Sequence, residues 1–292
     1  MPGLKEVRTR IASVKSTQQI TSAMKMVSAS KLKRAQNAIL KLRPYAGKLK
    51  EILENLSASL DSTDGIYSKE IKTQKVLIVV ITSNRGLCGA FNGNVVKSAA
   101  NMINTKYSEV NKGGNLDIIC IGKKGSEFFV KRKYNVIESN AEILDKLTFE
   151  NVAPIAETMM KSFITGKYDR IEVVYNQFKN AAVQVLSTEQ YLPIAKATAK
   201  GKAKQTSDYI FEPSKEEIVS ELIPKSLKLQ FYKMLLDSVA AEHGARMTAM
   251  HKATDNADSL LKDLRLSYNK ARQASITKEI LEIVGGAEAL KG

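Results

Sequence analysis

The chain has 292 residues, 43% hydrophobic and only 6% aromatic with no Trp, enough to bury a core in one large domain or two small ones but lean in rings for a compact enzyme. Lys and Arg number 45 against 30 Asp and Glu, a formal net charge of +15 that favours a partner with acidic surfaces: nucleic acid, anionic lipid or acidic protein loops. No run of eighteen apolar residues occurs, so no membrane-spanning helix is expected.

The opening residues Met1–Glu6 show neither the apolar stretch of a signal peptide nor a Ser/Arg-rich import presequence. Residues 1–50 hold twelve Lys or Arg and a single acid, Glu6, so this segment alone carries +11. Steps of three and four from Leu4 run through Val7, Ile11, Val14, Gln18, Thr21, Lys25, Ser28, Leu32, Ala35, Ile39, Leu42, Ala46, Leu49, Leu53, Leu56 and Leu60. That pattern predicts a coiled-coil helix over 1–60 with one polar interruption. Pro44 is expected to bend it locally. Within the interruption, apolar residues move off the seam to Ile20, Met24 and Val27. Two readings fit: a local register shift, or a surface turned toward something other than the helical partner. Residues 61–74 read as a linker, opening on the turn-rich Asp61–Gly65.

A central α/β domain is expected over 75–195. Val76–Ile81, Asp117–Ile121 and Arg170–Tyr175 are short β-branched runs. Helical stretches at Asn94–Tyr107 and Val152–Thr165 lie between them. The alternation predicts a mostly parallel, Rossmann-like sheet covered on both faces, with Ala182–Leu186 as a last edge strand. Residues 196–213 read as a linker, lysine-rich over Lys196–Thr206. A second long helix is expected over 214–292, opened by a capping box at Ser214 and Glu217. Pro224 places the start of its continuous part after that residue. Its seam runs from Leu229 through Leu236, Ala240, His243, Met247, Met250, Thr254, Ala257, Leu261, Leu264 and Tyr268 to Ala271. Two terminal seams flanking a compact domain predict an antiparallel pair, ~85 Å and ~100 Å long at 1.5 Å per residue. The longer helix should protrude in its C-terminal tail, which stays apolar from Ile280 to Leu290.

Catalytic chemistry is hard to find. The turn Thr82–Asn92 after the first strand has glycines but matches neither dinucleotide nor phosphate-loop spacing, so a structural or interface turn is the reading. Cys88 has no His near it, and Cys88 and Cys120 read as buried thiols of a reducing compartment. His243 and His251 are eight residues apart, unsuited to chelating one metal. No catalytic residue, cofactor or metal site is expected. The basic helix could suit nucleic acid, but residues 1–44 carry no aromatic for stacking and the seam requires a protein partner.

An ordered set of motifs carries a family resemblance: Ile11–Val14, Thr17–Thr21, Ala23–Lys31, Arg43–Tyr45, Ser83–Gly89, Tyr209–Pro213, Ala245–Met250, Ala253–Asn256, Tyr268–Thr277 and the Ile283-Val-Gly-Gly-Ala tail. The chain resembles the gamma subunits of rotary ATP synthases over nearly its whole length. The resemblance implies a central rotor shaft, not an enzyme, that couples ion-driven rotation to ATP chemistry in three alpha and three beta subunits. It assigns stator contact or coupling to Met24, Lys25, Arg85, Arg246, Arg272 and Gln273. It assigns contacts with the epsilon subunit and the membrane c-ring to Tyr209, Phe211 and Glu212, and a bearing tip to Ile280, Ile283, Val284 and Leu290. Membrane association would be indirect, through the ring. The cysteine-bearing regulatory segment of plastid forms has no match, and the start of the chain suggests a bacterial origin, at the cytoplasmic face of the inner membrane, over a mitochondrial one. The runner-up is a basic coiled-coil protein that binds nucleic acid.

Overall fold

The computed structural model describes residues 4–59, 66–67, 72–194 and 215–289. Its elements run α1 (Leu4–Ser59), β1 (Val76–Ile81), α2 (Phe91–Thr105), α3 (Ser108–Lys112), β2 (Leu116–Ile121), α4 (Lys123–Lys131), β3 (Val136–Ser139), α5 (Phe149–Ile164), β4 (Arg170–Phe178), β5 (Gln184–Leu192) and α6 (Lys215–Ala289). The chain divides into two units, Met1–Ser28 with Met247–Gly292 and Ala29–Arg246, so α1 and α6 contribute to both.

In the first unit the two helices pair antiparallel. Gln18 meets Asp258, the Thr21 and Thr254 hydroxyls are 2.9 Å apart, and Lys25 Nζ lies 3.2 Å from His251 Nδ1. Partner numbers fall as α1 numbers rise. Val7, Thr21 and Ser28 of α1 are buried, as are Met250, Ala257 and Leu261 of α6. Each large aliphatic side chain so buried contributes about 1.5–3 kcal/mol. The expected seam is therefore real, and its polar stretch stays on it: no register shift occurs at residues 16–30.

In the second unit β1–β4 are parallel in the order β3-β2-β1-β4, with β5 antiparallel on the outer side of β4. Alternate residues of each strand go to opposite faces. Leu77, Val79 and Ile81 join a core with Val152, Ala156 and Met159 of α5 and Phe231 and Leu235 of α6. Val76, Ile78 and Val80 join another with Val95, Ala99 and Ile103 of α2 and Phe129 of α4. Burial on both faces is why β1 is apolar at every position. The α1 seam continues here as buried Leu32, Ala35, Ile39 and Leu49.

Three expectations change. Pro224 does not delay α6, which already runs from Lys215; proline removes one N–H and costs about 3 kcal/mol in a helix interior, and the buried Leu227 and Phe231 that follow anchor the segment. The final strand is longer and later than Ala182–Leu186, because pairing with β4 carries it from Gln184 to Leu192. A short edge strand, β3, and two helices, α3 and α4, were not anticipated.

Candidate functional site

The turn after β1 is a built loop. Ser83 donates its backbone N–H to Asn92 Oδ1 at 2.9 Å and its hydroxyl to the Arg85 carbonyl at 2.6 Å. Asn84 Nδ2 donates to the Ala141 carbonyl at 2.8 Å, while its Oδ1 accepts from Lys123 N–H at 3.1 Å. Gly122 lies beneath, with φ +101° and Thr82 so close that an added Cβ would stand 2.2 Å from its carbonyl oxygen. Only glycine fits there. Leu87 and Gly89 also take left-handed conformations, φ 61° and 60°, which turn the loop outward and leave Leu87 exposed.

Arg246 holds this loop. Its guanidinium donates to the Arg85 carbonyl at 3.1 Å and the Gly86 carbonyl at 3.3 Å, and pairs with Glu242 at 2.7 Å. Both partners of that pair are buried, Arg246 at 7% exposure. Burial raises the Glu242 carboxyl above its ordinary pKa, against the lowering pull of Arg246. His243, 3.3 Å from Arg246, is lowered to about 4 by burial first and by the Arg246 and Lys31 charges second. Cys88, Phe91 and Ala241 pack under the loop. Burial pushes the Cys88 thiol up and takes Cys120 to about 12. Both are free and buried, as their placement in apolar runs implied. The structure thus brings together two of the sequence-assigned coupling residues: the exposed Arg85 and the buried Arg246 that clamps its backbone.

Other assigned residues lie in the first unit. Met24 and Lys25 are half-buried, with Lys25 directed at His251. The outward apolar positions are Ile20, Met26 and Val27, beside an open depression of about 320 Å³ lined by Gln18, Gln19, Ser22, Ala23, Met26 and Thr254. Met26 was missed by sequence reasoning. Further along α6, Arg272 and Gln273 are exposed. The antiparallel register sets Leu4 opposite about Ala271, so α1 has run out by then. Ile280, Ile283 and Val284 stand exposed, Ile283 at 72%, together with Leu281, which lay in the apolar run without being singled out, and Ile276, which precedes that run. Tyr209, Phe211, Glu212 and Leu290 lie outside the described residues.

Among the described residues no group of three or more His, Cys, Asp or Glu is placed to hold a metal ion, and no helix is long and apolar enough to cross a membrane.

The ATP synthase family profile matches residues 3–290. An ATP synthase gamma chain of Flavobacterium psychrophilum is 60% identical, with 100% of both chains covered. One of Cytophaga hutchinsonii is 59% identical, with 99% of both covered. Among solved structures, a chain of the Euglena gracilis mitochondrial ATP synthase is similar in fold, with TM-score 0.68 and 22% identity over 98% of this chain and 94% of that one.

Proposed function

The chain belongs to the ATP synthase gamma chain family, and from that premise we propose how its surfaces divide the work of a central rotor shaft. Such a shaft couples ion-driven rotation of a membrane ring to ATP synthesis or hydrolysis at a head of three alpha and three beta subunits. It catalyses nothing itself. Nothing in the fold or the family favours the nucleic-acid reading.

The exposed apolar end of α6 carries the proposal. Ile276, Ile280, Ile283 and Val284 continue at helical spacing where α1 no longer covers them. Apolar burial is non-directional. A tip held by it in an apolar sleeve turns without breaking and remaking directed bonds, and so acts as a bearing. Arg272 and Gln273, one to two turns below, make polar contacts with the catalytic subunits that favour particular angles. Arg85 forms another such contact, with Arg246 as the residue that positions its loop. Met24 and Lys25, with exposed Ile20, Met26 and Val27 around them, face the acidic loops of the beta subunits. An exposed ion pair there contributes only about 0.2–1 kcal/mol, weak enough to exchange from one stator face to the next.

Tyr209, Phe211 and Glu212 serve the foot, against the epsilon subunit and the ring, within a linker and foot segment at 196–213. The helical segments 1–60 and 214–292 form the shaft, 61–74 connects, and 75–195 is the α/β domain. The assembled complex is a proton-transporting ATP synthase at the cytoplasmic face of a bacterial inner membrane, a placement supported by bacterial relatives.

The test is reconstitution. The chain mixed with alpha and beta subunits should yield a complex whose ATP hydrolysis drives rotation of a bead fixed to the chain. The doubly substituted Ile280→Asn/Ile283→Asn chain should assemble less stably and stall under load. Rotation under load equal to that of the unsubstituted complex would refute the bearing assignment.

A further inference from the structure

The loops that precede the four parallel strands gather at one end of the sheet, and so do the C-terminal ends of α2, α4 and α5, which return antiparallel to the strands. That end is strongly basic. Lys72 and Lys75 precede β1, and Lys106 and Lys112 stand between α2 and β2. Lys131, Arg132 and Lys133 join α4 to β3, and Lys167 precedes β4. All eight are exposed.

The acids of the same end are mostly turned inward. Asp169 accepts from the backbone N–H groups of Gln74 and Lys75, both at 2.9 Å. Asp117 accepts from the Tyr168 hydroxyl and from Asn135 Nδ2, each at 2.6 Å. Buried Glu172 is bound by Lys106 and Tyr107 and lies 3.1 Å from Arg170 Nε. Among the described residues of this end, Glu109 is the acid that faces outward. These bonds also tie the loops together, so the cations sit on a rigid rim. Two apolar side chains share it: Val130, 58% exposed, and Ile164, 49% exposed.

We propose that this rim is a docking surface for an anionic phospholipid bilayer. Lysines on long stems beside isolated apolar residues are the pattern of a surface that rests on a headgroup layer, with the aliphatic groups entering its edge. Of the rim's rings, Tyr107 and Tyr168 are buried, Phe128 is half-buried under the Arg132 guanidinium and Tyr134 is half-buried, so none is a fully exposed face for stacking a base. Each lysine near an anionic leaflet adds about 1 kcal/mol, about fivefold in partitioning. The contact would be direct, in addition to any attachment through the ring, and it does not depend on the family assignment.

The chain contains no Trp, so one introduced indole reports its own site. Val130→Trp and Ile164→Trp in the full chain should blue-shift and be quenched by brominated lipid on vesicles of roughly one-third phosphatidylglycerol, and not on pure phosphatidylcholine. Phe149→Trp, at the other end of α5, should be quenched by neither. The quadruple change Lys75→Gln, Lys131→Gln, Lys133→Gln, Lys167→Gln should lower partitioning at least tenfold. The matched change Lys5→Gln, Arg8→Gln, Arg10→Gln, Lys15→Gln in α1 should lower it much less and leave the rim indoles quenched. Rim indoles unaffected by anionic vesicles overturn the proposal, as does an equal loss in the two quadruple variants. A shift with soluble polyglutamate but not with vesicles overturns it too and reassigns the rim to an acidic protein. Assembly and ATP hydrolysis with alpha and beta subunits in detergent-free solution should be the same for the rim variant, which separates this test from that of the rotor reading.

Discussion

Replacing Arg246 with Ala separates two ways in which this residue could act. Arg246 reaches the carbonyls of Arg85 and Gly86 and neutralises the buried Glu242. Removing one partner of a buried pair costs about 3–5 kcal/mol. Burial already raises the Glu242 pKa, so partial proton uptake relieves some of the stranded charge and holds the cost near the low end, about 3 kcal/mol. That corresponds to roughly a hundredfold loss of protection in the loop. The readout is hydrogen exchange at the Ser83 and Phe91 amides, which bond to Asn92 Oδ1 and the Cys88 carbonyl. The double variant Glu242→Gln/Arg246→Ala removes the stranded charge and leaves only two carbonyls without donors, about 0.5–1.5 kcal/mol each. It should recover about tenfold of the protection. Arg246→Lys should behave nearer to Ala than to Arg, because an ammonium lacks the planar fork that reaches two carbonyls and a carboxylate together.

The same variants measured in the assembled complex complete the argument. If Arg246 positions Arg85, coupling of ATP hydrolysis to ion pumping should fall in step with loop protection and return in part in the double variant. Coupling lost while Ser83 and Phe91 keep full protection would refute the positioning role and make Arg246 a direct stator contact.

Three further outcomes follow from the geometry. His243 is neutral in the folded state, with its pKa lowered to about 4 from 6.5; its contribution is complete above pH 6.5 and is lost as pH falls toward 4, about 1.4 kcal/mol by pH 5.5, so His243→Gln should flatten that part of a stability–pH profile. Gly122→Ala must force a Cβ 2.2 Å from the Thr82 carbonyl at φ +101°, and should lower the melting temperature of the α/β unit sharply; Gly93→Ala in α2, with open space around it, should leave it equal or slightly raised. Lys25→Glu should weaken ATP-driven pumping more than assembly, and pumping equal to the unsubstituted complex would show that this charge does not face the stator.

Much of this architecture is written in periodicity. The described seam positions of α1 from Leu4 to Leu49 are all buried or half-buried, because a 3.5-residue repeat admits one contact face. β1, β2 and β4 were legible because strands covered on both faces become continuous apolar runs. β3 was not: its four residues alternate half-buried and exposed on an edge. α4 carries Gly125 and two adjacent rings, which weaken any helical pattern in nine residues. The loop glycines gave no phosphate motif, and the loop's real anchor, Arg246, lies more than 150 residues away on another helix. No local spacing could disclose that contact, although the assigned residues Arg85 and Arg246 were each found through family motifs.

The polar stretch of the α1 seam holds no register shift, and its inner and outer sides present different chemistry. On the inside, Gln18, Thr21 and Lys25 pair with Asp258, Thr254 and His251. Polar positions within an apolar seam fix axial register at some expense of stability. A slip of one heptad would set Thr21 against Met247 with Thr254 against Val14, or Thr21 against Leu261 with Thr254 against Ser28, so the Thr21–Thr254 hydrogen bond is lost in either direction, at about 0.5–1.5 kcal/mol. Two smooth apolar seams would resist axial sliding less specifically, and a helix pair that transmits torque is sheared along that direction. On the outside, the same stretch presents Ile20, Met26 and Val27 to solvent, where a stator face can reach them. The displaced apolar residues are thus the consequence of a seam made polar to hold register: polarity moved inward, and the apolar surface it displaced became available for contact.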